Sequence, residues 1–163
     1  MGLVSMQMQA LRATSDSGNR SQAIWLVNDI ANRIHANEAF SASYITATDD
    51  STEEYCKEVK NCSSYHNGTD LIAAKAECSG SDLAAWDNYE VACPLRGEGF
   101  IGDSSKYLPD AKLFITCADG ACVDGDPLLI TLTWRARADD ETVTGATRGE
   151  NSGLLTLTEI INP

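Results

Sequence analysis

The sequence predicts an α+β fold, with a long N-terminal α-helix packed on a C-terminal antiparallel β-sheet and a Cys-rich helical and loop region between them. Three observations carry this. Apolar residues recur at helical spacing over residues 24–34, they alternate with period two over residues 128–136, and all six cysteines lie between Cys56 and Cys122. A chain of 163 residues fits one domain, divided as helix 3–37, middle region 38–110 and sheet 111–163.

The helix rests on Ile24, Val27, Ile30, Ala31 and Ile34, which repeat at three- and four-residue steps and share a face. Arg20, Asn28, Asp29, Asn32 and Arg33 fall largely on the other side. Upstream, Leu3, Val4, Met6, Met8 and Leu11 are apolar without a clean stripe, and Thr14 to Asn19 is weak helix material with Gly18 as a soft spot. A continuous helix of this length is a rod of roughly 50 Å. A small domain does not need such a rod; something outside it does.

The middle region is less regular. Ser43 to Thr48 alternates briefly and reads as a strand; Asp50 to Glu54 opens a short helix near Tyr55 to Val59. Cys62 to Thr69 is turn-rich. Thr69 or Asp70 is expected to cap a helix over Leu71 to Glu77, and Ser81 to cap another from Asp82 to about Ala92, before Pro94. Leu83, Trp86, Tyr89 and Cys93 share one side of the latter. Lys112 to Cys117 then reads as a strand, Ala118 to Ala121 as a turn containing Asp-Gly, and Leu128 to Ala136 as a strand with Leu128, Ile130, Leu132 and Trp134 facing one way. Asp139 to Gly153 is a polar loop, and Leu154 to Ile161 the last strand.

Composition narrows the function. With 12 basic against 24 acidic residues the net charge is −12, and no Lys/Arg cluster offsets it, so nucleic-acid binding is excluded as the default. No run of about 18 apolar residues is present. The even cysteine count indicates pairing in an oxidising compartment, although no signal peptide is visible, since the N-terminus shows no basic region followed by an apolar stretch. Met1-Gly2 reads as an added start, with an exporting segment expected upstream.

Candidate chemistry is sparse. The spacings of Cys56, Cys62, Cys78, Cys93, Cys117 and Cys122 lack the C-x2-C pairs of structural zinc, so disulfides are the better reading. Cys117 with Cys122 is the favoured pair, across the Asp-Gly turn. Cys56 with Cys62 and Cys78 with Cys93 is the short-loop arrangement of the rest, one of several that remain open. His35 suits the C-terminal end of the first helix. His66 lies among serines, yet no G-x-S-x-G elbow supports a hydrolase. Asp119, Asp124 and Asp126 resemble a fragment of a Ca²⁺ loop without its closing Glu, and a solvated acidic turn is the preferred reading. Asn61 and Asn67 fit the glycosylation acceptor pattern, and Trp86 and Trp134 read as core aromatics. No cofactor motif and no convincing active site are present.

The order of pieces carries a resemblance. Gly2 to Arg12, Asn19-Arg20-Ser21-Gln22-Ala23 and Asp29-Ile30-Ala31-Asn32-Arg33-Ile34-His35-Ala36-Asn37 resemble the PilV family of type IV pilus minor pilins just downstream of its hydrophobic segment. Asp82-Leu83-Ala84-Ala85-Trp86, Leu108-Pro109-Asp110 and Ile130-Thr131-Leu132-Thr133-Trp134 are similar to that family's later elements, although Asp110 and Ala111 stand where glycines are usual. The resemblance implies a pilin-like fold and a non-enzymatic minor pilin that takes part in assembly or initiation of a type IV pilus, in a tip complex. Its partners would be other minor pilins and the major pilin. Before assembly it would sit on the periplasmic side of the inner membrane of a Gram-negative bacterium, held by an upstream helix with a methylated N-terminus, and afterwards on the pilus. The assembly face would comprise Leu3, Val4, Met6, Met8, Leu11, Ile24, Val27, Ile30 and Ile34, the downstream part against the sheet and the upstream part among neighbours. Alternatives are a type II secretion pseudopilin and, from another class, a secreted disulfide-stabilised binding module or enzyme.

Overall fold

The computed structural model describes residues 2–46, 59–75, 77–96, 108–120, 122–135 and 154–163. Helix α1 runs Gly2–Ala36 without a break at Gly18. A 3₁₀ stretch, Glu38–Tyr44, follows. Next come a small hairpin of β1 (Tyr65–His66) and β2 (Leu71–Ile72), helix α2 (Gly80–Ala92), and a sheet of β3 (Lys112–Cys117), β4 (Leu128–Arg135) and β5 (Leu154–Ile161). The sheet is antiparallel in the order β3-β4-β5, with Ile115 opposite Ile130 and Leu132 opposite Leu157.

Strict alternation makes β4 the centre of the core. Leu128, Ile130, Leu132 and Trp134 are all buried, as are Leu113 and Ile115 on β3. They meet Ala23, Leu26, Val27, Ile30, Ala31 and Ile34 from α1, and Ala84, Val91 and Ala92 from α2. A second cluster lies on another side of α2, where Trp86, Tyr89 and Cys93 pack with Val59, Cys62 and Tyr65. Trp86 and Tyr89 stack at 5.6 Å between ring centroids. Helix α2 therefore has two apolar faces and joins the sheet core to the Cys-rich region.

Several elements differ from the sequence-based expectation. Ser43 and Tyr44 end the 3₁₀ stretch instead of starting a strand; Thr46 is tied to the edge of β3, donating to Ile115 O at 2.9 Å and accepting from Ile115 N at 2.8 Å. Leu71 and Ile72 are strand, not helix, because Asn67 Oδ1 takes the N–H groups of Thr69 and Asp70 into a tight turn and Gly68 adopts a left-handed φ of 99°. The N-cap of α2 is Ser79, not Ser81. Ser79 is extended, accepts from Asp82 N at 3.1 Å, and donates its own N–H to Asp82 Oδ2 at 2.8 Å, a reciprocal capping box. On α2, Leu83 is about one-third exposed, at 36%, while Trp86, Tyr89 and Cys93 are buried. Cys62 is bonded to Cys78, which overturns the short-loop pairing; the two Cα atoms are 5.8 Å apart, and the bridge closes the hairpin segment into one loop. Cys117 is bonded to Cys122, with Cα atoms 5.6 Å apart. Cys93 is also disulfide-bonded. Cys56, the loop 139–153 and all of the expected short helix near 55–59 except Val59, which is not helical, lie outside the described residues.

Candidate assembly surface

Helix α1 outruns the domain it belongs to. Every described side chain upstream of Asn19 is exposed, and the core begins at Ala23. At 1.5 Å per residue, the stretch before Asn19 adds roughly 25 Å of helix beyond the packed part. Met6 on this stretch is 73% exposed. Of the downstream face, Val27, Ile30 and Ile34 are wholly inside the domain's own core, whereas Ile24 is 43% exposed at its margin. The side chains of Leu3, Val4, Met8 and Leu11 lie outside the described residues. Among the described residues, no helix is long and apolar enough to cross a membrane.

Where α1 enters the domain, a groove of about 310 Å³ opens between α1 and α2, lined by Trp25, Leu26, Asp29, Arg33, Glu90, Val91 and Pro94. Trp25 forms its rim and is 61% exposed, an unusual state for the largest apolar side chain. Trp25 was not singled out in the sequence because it stands one residue beside the Ile24–Val27 stripe and breaks no pattern.

The inner end of the groove is an ion cluster, which sequence periodicity assigned to the solvent side of α1. Arg33 Nη1 donates to Asp87 Oδ1 at 2.8 Å and to Glu90 Oε2 at 2.5 Å, and Nε donates to Asp29 Oδ2 at 3.2 Å. Glu90 Oε1 in turn accepts from Ser63 Oγ at 3.1 Å, and Ser63 Oγ accepts from Trp86 Nε1 at 2.9 Å. On the other side Asp87 Oδ2 accepts from the Tyr44 hydroxyl at 2.6 Å. Burial by itself would lower the pKa of Arg33, but the bonds to Glu90 and Asp87 more than reverse this and raise it. Burial pushes the Tyr44 hydroxyl up, and its bond to Asp87 adds to that shift. The cluster thus fixes α1, the 3₁₀ stretch, the Cys-rich segment and α2 to one another.

The other sequence candidates have local roles. His35 is in the last turn of α1. His66 Nδ1 accepts from Gly68 N at 3.0 Å, inside the hairpin turn. Asp124 Oδ1 caps Ala42 N at 3.0 Å and Asp126 Oδ2 caps Val123 N at 2.9 Å, so both carboxylates hold backbone. Among the described residues no three His, Cys, Asp or Glu side chains gather to hold a metal ion. The site's described features are a long helix that extends past its own core and an exposed Trp at its base.

A family model agrees over the region that builds this surface. The model for the Tt1218-like family, described as type IV pilin Tt1218, matches residues 5–89, more than half of the chain. The chain belongs to this type IV pilin family. No curated protein and no solved structure matches it. As a pilin it is associated with other pilus subunits, at the pilus or cell surface. The match ends within α2, so β3 to β5 fall beyond it.

Proposed function

We propose that this pilin is a non-enzymatic minor pilin, PilV-like, that helps initiate a type IV pilus in a minor-pilin complex at the tip. The observation that carries the reading is α1, which extends past its own core and bears the sequence blocks resembling PilV. A helical stretch whose described side chains are exposed is suited to neighbours of the same kind, packing ridge into groove in a helical bundle. In this reading Leu3, Val4, Met6, Met8, Leu11 and Ile24 face other minor pilins and the major pilin, Trp25 marks where the bundle meets the domain, and Val27, Ile30 and Ile34 anchor the helix to it. The chain is one pilin-like domain in which residues 38–110 form the variable part. A hydrophobic segment with a methylated N-terminus, encoded upstream of Gly2, holds the subunit on the periplasmic side of the inner membrane before assembly.

Deletion of the gene in its host, followed by counting surface pili by electron microscopy, tests the proposal. Loss or marked reduction of pili, restored by the gene in trans, is expected. Unchanged piliation and twitching would overturn the role in assembly.

A further inference from the structure

The turn between β1 and β2 assembles, within five residues, the parts of a self-modification site. Asn67 and Gly68 form an Asn-Gly pair, exposed at the tip of the hairpin. The Asn67 side-chain carbonyl is held by two backbone donors, Thr69 N at 2.9 Å and Asp70 N at 2.7 Å on Oδ1. The N–H of Gly68, the next amide along the chain, points at His66 Nδ1 across 3.0 Å. In this bond Nδ1 is the acceptor and presents its lone pair to the amide. The register His66↔Leu71 and the bond from Asn67 N to Asp70 O at 3.1 Å keep the turn closed. Gly68 has a φ of 99° and no Cβ to shield its nitrogen.

We propose that Asn67 is a site of intramolecular deamidation promoted by the fold, with His66 as the base and the Thr69 and Asp70 amides as the oxyanion hole. Gly68 N attacks Asn67 Cγ while its proton passes to His66 Nδ1. The negative charge that develops on Oδ1 stays within the two N–H bonds that already hold it. The Cγ–Nδ2 bond then breaks, the proton returns from His66 to the departing nitrogen, and ammonia leaves. Water opens the resulting five-membered imide at one of its two carbonyls and gives an aspartate or an isoaspartate at position 67. Overall one water enters and one ammonia departs, with no oxidation or reduction. The donors already on Oδ1 and the acceptor already on the Gly68 N–H are what separate this turn from an Asn-Gly pair in a loose chain. The product adds a negative charge, and in the isoaspartate form an extra backbone carbon, to a hairpin whose Leu71 is 72% exposed. The surface carried by the loop closed by Cys62–Cys78 would therefore change with age, without an enzyme.

The test incubates the purified full chain at neutral pH and follows conversion at position 67 by peptide mapping and isoaspartate detection. A synthetic peptide spanning residues 63–73 gives the rate without the fold. Conversion several-fold faster in the folded chain than in the peptide, slowed to the peptide rate or below by His66→Phe, is the expected result. His66 is exposed, so this replacement leaves the core intact. A folded chain that converts no faster than the peptide would overturn the proposal. So would a fast conversion that His66→Phe leaves unchanged, because the base would then be something else.

Discussion

Arg33 shows how much one side chain decides here. Three carboxylates converge on it, Asp87 and Glu90 are largely buried, and the Tyr44 hydroxyl donates to the far oxygen of Asp87. Removing the guanidinium leaves three carboxylates, two of them largely buried, without their cation, which is far worse than an apolar site of the same shape. Arg33→Met should therefore cost about 3 kcal/mol in urea denaturation. Arg33→Lys should recover only part of that, since an ammonium cannot span Asp29, Asp87 and Glu90 with one planar fork. A variant as stable as the parent would mean that the cluster contributes nothing net. Asp82 makes a smaller, pH-dependent contribution. The bond from Lys60, at 2.9 Å, and then the Ser79 N–H hold its carboxyl at about 2. A carboxyl whose pKa is depressed by folding stabilises the protein above its unfolded value and loses that effect as the pH falls toward its folded value. Melting temperature should accordingly fall between about pH 4 and about pH 2. Asp82→Asn should lower it at neutral pH and flatten that acid limb relative to the parent.

At the level of elements, the disulfides and α1 make separate predictions. The bridge Cys62–Cys78 spans 16 residues and Cys117–Cys122 spans 5. Loop-closure entropy assigns about 3 kcal/mol to the former and about 2 kcal/mol to the latter, so Cys62→Ser with Cys78→Ser should destabilise more than Cys117→Ser with Cys122→Ser. Peptide mapping without reduction should recover both pairs, with Cys93 in a further linked peptide. On α1, Trp25→Ala should change the stability of the isolated domain by no more than about 0.5 kcal/mol, as for an exposed position away from caps and core, yet reduce pilus number in cells. A normal pilus count in that strain would remove Trp25 from the assembly surface. These elements also show what a sequence reveals. The downstream half of α1 and strands β3 to β5 were legible because each buries one face at its own period, a local property of the chain. The hairpin and the Ser79 cap were not. Leu71 and Ile72 are held as strand by the Asn67 turn and the distant Cys62–Cys78 bridge, neither of which has a hydrophobic period. The ion cluster was hidden for the same reason. Arg33 meets Asp87 across 54 positions, and nothing near Arg33 distinguishes it from a solvated helix residue.

For the whole molecule, the question is why a domain of this size should carry a 35-residue helix. Isolated helices are marginal in water until tertiary contacts bury a face, so the two halves of α1 should differ sharply in protection. From Ala23 to Ile34 the apolar face is shared with β4, β5 and α2, and its amide hydrogens should exchange only as the domain unfolds. Upstream of Asn19 every described side chain is exposed, and exchange there should be faster by orders of magnitude in the isolated subunit. Removing residues 2–18 should correspondingly leave the melting temperature nearly unchanged. If the upstream half exists to meet neighbouring helices, its protection must come from them. Hydrogen exchange on the subunit within a purified minor-pilin complex, or within pili, should therefore show the 2–18 amides slowed toward the rate of the downstream half. Equal, fast exchange of those amides in both states would mean that this stretch of helix is not packed in the assembly, and the reason for its length would have to be sought elsewhere in the molecule.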